Sequence, residues 1–443
     1  MSLAPTTDWQ PLYKPLRARQ VVTLALDVAR RLADPSMIER AVASAKAGTT
    51  EPSSIYWLPY GVAQGDAGLA LMCGYFDACF PDQGWDRVAH QWIERASLGA
   101  ETAEHLPGGL FEGLAGLAFT VDFLSRGGRR YRKLLDHLHE RVVQDVRAQC
   151  ETLDAELASG AVSFLAWDVI AGLTGMGAYL LSRRDHIHII PIIDRLLALT
   201  HNAQALPRWH TPARHSSQWM LDAYPEGHLN LAHGIPGPLA LCSLAVLDGL
   251  TVVGLQQAID GIADWLSWHC VEDSWGVNWP SAVPLKRHGE RLSAGTCEGL
   301  AGTHAGWCYG SPAVARALWL AGRARGNSAY TALALNAMHA VMRRPPAVRG
   351  LSSPALCHGL AGLLCITLRF RQDIPDNRFT SFGRALLRQI EEMHEPGSLL
   401  GYRTTEPGGG RIDGLASLWH SSLRRLHSRP AGTGFSCCPN EQR

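Results

Sequence analysis

Gly113-Leu-Ala-Gly116 runs straight into Leu117-Ala-Phe-Thr-Val-Asp-Phe-Leu124, and this phrase with its apolar tail decides the fold. A glycine, two residues and a second small residue recur along the chain. The copies are Gly65-Asp-Ala-Gly68, Gly113-Leu-Ala-Gly116, Gly172-Leu-Thr-Gly175 and Gly234-Ile-Pro-Gly237, then Gly310-Ser-Pro-Ala313, Gly359-Leu-Ala-Gly362 and Gly414-Leu-Ala-Ser417. They begin 48, 59, 62, 76, 49 and 55 residues apart, a period that marks a repeat architecture. Each opens a segment with little charge, such as Leu69–Phe76, Leu117–Leu124 or Leu363–Phe370, which predicts a helix buried on all sides. Between them lie amphipathic segments, Val21–Ala33, Tyr131–Gln149, Ile187–Thr200, Gln256–His269 and Phe379–His394, with apolar residues at helical spacing on one face.

Each unit therefore reads as an outer amphipathic helix, a turn and an inner apolar helix. The expected fold is all-α, a closed double-layer α/α toroid of seven inner and seven outer helices. In that geometry the glycines admit close backbone approach and leave the first N–H groups of each inner helix unpaired, pointing at a shared centre. The longest interval contains Val271 to Gly306, with Trp275, Trp279-Pro280, Lys286, Arg287 and His288; it reads as an open, loop-rich lid or inserted wall.

Composition narrows the function. The formal net charge is +1, from 41 basic and 40 acidic residues, so no global field points to nucleic acid or a membrane surface. The one basic cluster, Arg126, Arg129, Arg130, Arg132 and Lys133, reads as a solvated helix start, with a docking patch for an acidic peptide as the alternative. No stretch has the length of a membrane span, and the segment from Met1 to Asp34 lacks the apolar core of a signal peptide. Eleven scattered cysteines without an export signal point to a reducing cytoplasm and to thiols used as core residues or metal ligands. Cys437-Cys438 falls in a Gly/Ser/Pro-rich stretch, 426–443, expected to be a flexible tail beyond a single domain over 1–425.

The chemistry concentrates in four phrases. The fifth is preceded by Trp307-Cys308-Tyr309 and the sixth by Cys357-His358. Read singly these are bland: a cysteine at a helix start is commonly a small core residue. Their matching places in consecutive repeats make Cys308, Cys357 and His358 candidates for one Zn²⁺ site, with two thiolates, one imidazole and a fourth position open to an exogenous ligand. The third phrase carries Asp168 and the fourth carries His233. Alone, Asp168 reads as an N-cap and His233 as a turn histidine; beside a zinc site they become candidates for proton transfer. His186 and His188 begin an outer helix and read as surface residues, while His201, His210 and His215 lie in the loop leading to the fourth phrase.

Trp307-Cys-Tyr-Gly310, Cys357-His-Gly359, Ala232-His-Gly-Ile-Pro-Gly237 and the seven glycine phrases together resemble the lanthionine synthetase C family, the cyclases of lanthipeptide (lantibiotic) biosynthesis. The likeness runs from about Tyr60 to Leu418. It implies an α/α toroid, zinc ligands Cys308, Cys357 and His358, an acid/base histidine at His233 with Asp168 as its partner, and Tyr309 lining the site. The implied reaction is addition of precursor-peptide cysteines to dehydroalanine or dehydrobutyrine, which gives lanthionine or methyllanthionine rings. The implied partners are that dehydrated peptide and a separate dehydratase. Two alternatives use the same triad: addition of glutathione to dehydrated residues, and a non-catalytic zinc-containing peptide scaffold. The sequence departs from the family where an arginine often precedes the Trp-Cys-Tyr-Gly motif. Here that stretch is Gly302-Thr-His-Ala-Gly306, so either His304 substitutes, or Arg287 or Arg291 of the preceding loop reaches in, or the feature is absent.

Overall fold

The computed structural model describes residues 11–49, 52, 55–160, 162–203, 206–216, 218–231, 234–288, 291–405 and 411–413. The seventh phrase, His233, the 426–443 stretch and Cys437-Cys438 lie outside these residues.

Helices dominate. In chain order they are α1 (Pro15–Leu32), α2 (Pro35–Gly48), α3 (Asp66–Cys79), α4 (Trp85–Thr102), α5 (Leu114–Leu124), α6 (Arg132–Ser159), α7 (Leu173–Ser182) and α8 (His186–Thr200). They continue with α9 (Gln218–Ala223), α10 (Pro236–Leu247), α11 (Leu255–Trp268), α12 (Ser311–Arg325), α13 (Ser328–Arg343), α14 (Pro346–Arg349), α15 (Leu360–Asp373) and α16 (Asn377–Glu392). The described residues divide into two compact units, one built from those up to Val142 together with those from Leu351 onward, the other from Val143–Gly350. In the first, α3 packs on α4 and α5, and α15 on α16; in the second, α7 packs on α8 and α10, and α12 on α10 and α13.

The two helix types form for the reasons the pattern predicts. Inner α5 buries Leu114, Ala115, Gly116, Leu117 and Ala118, five residues in succession, so no face is left to water. Outer α11 buries Leu255, Ala258, Ile259, Ile262, Ala263 and Leu266, an i, i+3, i+4, i+7 stripe. Its four large apolar side chains each contribute about 1.5–3 kcal/mol on burial.

The starts of the inner helices correct the expectation of unpaired N–H groups. Leu114, Ala115 and Gly116 donate to the carbonyls of Pro107, Gly108 and Gly109, each seven residues upstream, at 2.8–3.3 Å. Gly68 to Gly61, Thr174 to Trp167, Gly175 to Asp168, Leu360 to Ser353 and Gly362 to Ala355 repeat that spacing. The preceding loop folds back and its backbone caps the helix, which replaces the side-chain cap these helices lack. Such contact leaves no room for a Cβ. One at Gly65 would overlap the Leu58 carbonyl oxygen, and one at Gly113 that of Pro107. The backbone of both glycines is extended, so close approach and not a left-handed conformation requires them.

The all-helical expectation is also corrected over 202–294. Thr211–Pro212, Gly227–Asn230, Ala282–His288 and Arg291–Ala294 form a four-stranded antiparallel sheet in that order. Val271–Asp273 pairs with Gly276–Asn278 in a hairpin, so the supposed open loop is in part strand. Trp279, fully buried, donates its indole N–H to the Leu266 carbonyl at 2.8 Å and locks this insertion onto the end of α11.

Candidate metal centre

Cys357 and His358 sit where the loop that caps α15 turns into the helix. Both are buried, at 7% and 4% exposure, and Cys357 Sγ lies 3.9 Å from His358 Nε2. A tetrahedral zinc with Zn–S near 2.3 Å and Zn–N near 2.05 Å would set sulfur and nitrogen about 3.6 Å apart. Adjacent residues that present a thiol and an imidazole at nearly this separation fit two ligands of one ion.

In the other unit, Cys308 rides on a loop closed by an antiparallel bridge between Ala305 and Gly310 and by the Gly306 N–H donating to Tyr309 O at 3.2 Å. Cys308 is half-buried and Tyr309 buried. Cys308 offers a second thiol, and thiols with an imidazole are a donor set that suits zinc. The remaining described cysteines divide by environment. Cys73 and Cys242 are core residues whose thiols burial pushes up to about 12, so neither is a reactive thiolate.

Asp168 is fully buried, and its Oδ1 accepts the N–H groups of Ile170, Ala171 and Gly172 at 3.1, 2.8 and 3.0 Å. It braces the turn ahead of α7 and is not the N-cap its position suggested, because that place belongs to Gly172. His186 and His188 start α8 as expected; His186 Nε2 is 2.9 Å from Asp248 and His188 Nδ1 is 2.7 Å from Asp185. His210 Nδ1 bonds the Pro207 carbonyl at 2.8 Å. The basic cluster is partly neutralised, with Arg126 paired to Asp77 and Arg130 to Asp86 at 3.2 Å. Of the residues considered for the missing arginine, Arg287 is held by Glu226 at 2.7 Å, whereas the His304 ring packs directly on Gly350.

Sequence reading missed two features beside the phrases. His228, on the strand that leads into the fourth phrase, is 1% exposed, and neither ring nitrogen has a hydrogen-bond partner among the described residues. Burial pushes its imidazole down to about 4. Thr211 faces it across the strand pair, and its hydroxyl likewise lacks a partner. The second feature is a buried polar network around Arg344 at the end of α13. The Asp273-Ser-Trp-Gly276 turn was the only signal for it.

The profile of lanthionine synthetase C-like proteins matches residues 56–418. The chain belongs to this family. It is 26% identical over 365 residues to the nisin biosynthesis protein NisC of Lactococcus lactis subsp. lactis, an alignment covering 80% of this chain and 82% of that one. The solved structure of a nisin cyclase superposes with a TM-score of 0.66 at 23% identity, over 86% of this chain and 92% of that one, which gives the two a common fold. Among the described residues, no helix is long and apolar enough to cross a membrane.

Proposed function

We propose that the chain is a zinc-dependent lanthipeptide cyclase that closes (methyl)lanthionine rings on a dehydrated precursor peptide. The observation that carries this is the Cys357–His358 thiol–imidazole pair, buried at the start of α15 in a chain of this family. Cys308, Cys357 and His358 hold the ion in this reading, and the seven helix pairs close into the toroid. Zinc, when bound, supplies a fourth position that ionises a substrate cysteine near neutral pH.

The residues of the chain do the rest. Two cysteine ligands set two negative charges beside the substrate sulfur, which keeps it electron-rich and transferable. The sulfur forms a bond to the β-carbon of dehydroalanine or dehydrobutyrine, the alkene π pair moves to an enolate, and a proton returns to the α-carbon. The addition consumes no oxidant or reductant. His233 carries that proton, either accepting it from the thiol or delivering it to carbon. Asp168 steadies His233 and favours its charged form, and Tyr309 lines the site. The peptide reaches the enzyme from a separate dehydratase, in the cytoplasm.

Ring closure leaves the peptide mass unchanged and removes a free thiol. The test is therefore to count alkylatable cysteines on a dehydrated peptide by mass spectrometry, with metal content measured on the same protein. Cys308→Ala and Cys357→Ala are expected to lose zinc and cyclisation together, and His233→Ala to keep zinc and react slowly. Normal cyclisation by Cys308→Ala, or zinc loss in His233→Ala, would overturn these roles. Added glutathione separates the other readings: a peptide gaining the mass of glutathione points to intermolecular addition, and an unchanged thiol count to a scaffold.

A further inference from the structure

The loop that carries Cys308 is held at both ends by one ion pair between a buried arginine and a half-buried aspartate. Arg344 follows the last residue of α13 and is 2% exposed. Its guanidinium lies 2.8 Å from Asp273 Oδ2, donates to the Val277 carbonyl at 3.0 Å, and reaches Ser311 Oγ at 3.3 Å. Ser311 is the first residue of α12, three positions after Cys308. Asp273 Oδ2 also accepts the Asn278 side-chain amide at 3.2 Å, and that amide donates to the Thr303 carbonyl at 3.2 Å. Thr303 is further tied to Trp279, its N–H donating to the Trp279 carbonyl at 2.8 Å and its hydroxyl to the same oxygen at 3.1 Å. Gly302 lies so close to Asn278 that a Cβ there would overlap the amide. Thr303 at one end and Ser311 at the other thus converge on the Arg344–Asp273 pair, and the Ala305–Gly310 bridge closes the loop between them.

We propose that Arg344 and Asp273 are positioning residues that fix where the Cys308 sulfur stands, through Asn278 and Thr303 on one side and Ser311 on the other. Charge and geometry both favour this. A buried guanidinium is costly unless fully partnered, and here its forked donors meet a carboxylate, a carbonyl and a hydroxyl belonging to two separate elements, the hairpin and α12. A lysine would keep the charge opposite Asp273 but could not span to both. The inference rests on the cyclase reading for its consequence in turnover; its structural content does not.

The experiment has two arms. In metal-free protein, the rate of iodoacetamide labelling at Cys308 is followed by peptide mapping against Cys79, an exposed thiol, in the wild type and in Arg344→Met, Arg344→Lys, Asn278→Ala and Ser311→Ala. A clamp predicts a several-fold change in the Cys308 rate relative to Cys79, largest for Arg344→Met, smaller for Arg344→Lys and smallest for Ser311→Ala. In zinc-loaded protein, the same series should lose about 10- to 100-fold in metal affinity or kcat, the range seen when groups that orient a ligand are removed, with KM for the peptide unchanged and partial rescue by Arg344→Lys. If Arg344→Met does not fold, Asn278→Ala and Ser311→Ala decide. A Cys308 rate that follows Cys79 in every folded variant overturns the clamp. A wild type without zinc or turnover overturns the cyclase reading instead and leaves the labelling arm standing.

Discussion

The first and sixth phrases use the same backbone device for different ends. In both, a glycine precedes an inner helix and the loop upstream caps that helix with its own carbonyls: Gly68 bonds Gly61, and Gly362 bonds Ala355. In the first, the polar residue at the junction is Asp66, buried at the start of α3. Its Oδ1 accepts the Trp57 indole at 2.9 Å and its Oδ2 accepts Arg95 at 3.2 Å. Burial nevertheless raises the pKa of this carboxyl. In the sixth, the junction carries Cys357 and His358, whose donor atoms face each other at 3.9 Å. The fold thus belongs to the glycine and the carbonyl cap, and the proposed chemistry to the polar residues beside them. One part should be breakable without the other.

The largest effect expected is on the fold. Gly65→Val places a branched side chain into the Leu58 carbonyl and should cost about 5 kcal/mol or more, read as a lowered denaturation midpoint or loss of soluble protein. A variant as stable as the wild type would show that close approach at the phrase is incidental. Cys357→Ala reverses the pattern. It removes a small buried side chain at modest cost to the metal-free fold, yet should slow ring closure about 1000-fold, about 4 kcal/mol of transition-state stabilisation. Denaturation of the metal-free protein set beside the cyclisation rate separates the two quantities.

This division explains what could be read from the sequence. The repeat was legible because Gly-x-x-Gly ahead of an apolar run is a local pattern imposed by packing, and the same packing acts at α3, α5, α7 and α15. The ligand candidates were legible because they occupy the corresponding place in successive copies. The backbone caps were not, since a carbonyl seven residues away leaves no mark on residue type. The strands between α8 and α12 were hidden for another reason. They are short, and Pro284, Lys286 and Arg287 interrupt the alternation that betrays a strand. Nothing in the local sequence singles out Arg344, because its partners Asp273 and Ser311 lie 71 and 33 residues upstream.

The fourth phrase tests the comparison by pH, because a strand with a buried histidine feeds it. His228 titrates near 6.5 when exposed and resists protonation until about pH 4 in the folded protein. Between these values the unfolded chain binds the additional proton. Stability from this group is therefore full above about pH 6.5 and falls as pH drops towards 4, by about 3 kcal/mol at most. Urea midpoints at pH 7 and pH 5 should diverge in the wild type by more than in His228→Leu; equal divergence would mean the ring is not held neutral.

The smallest effect is expected at the third phrase, where the proposed mechanism asks one residue to serve both ends. Asp168 braces its own turn through three N–H groups that converge on Oδ1. Asparagine keeps an oxygen in that place, so Asp168→Asn should cost under about 1 kcal/mol of stability, while Asp168→Ala should cost about 1–2 kcal/mol, the range of a lost side-chain bond to backbone N–H groups. Under the proposed mechanism the two variants must converge on activity, because each removes the negative charge that favours protonated His233. Equal slowing of cyclisation with unequal stability would place both roles on Asp168. If asparagine turned over like the wild type, the residue would be a brace alone, and the third phrase would join the first as scaffold.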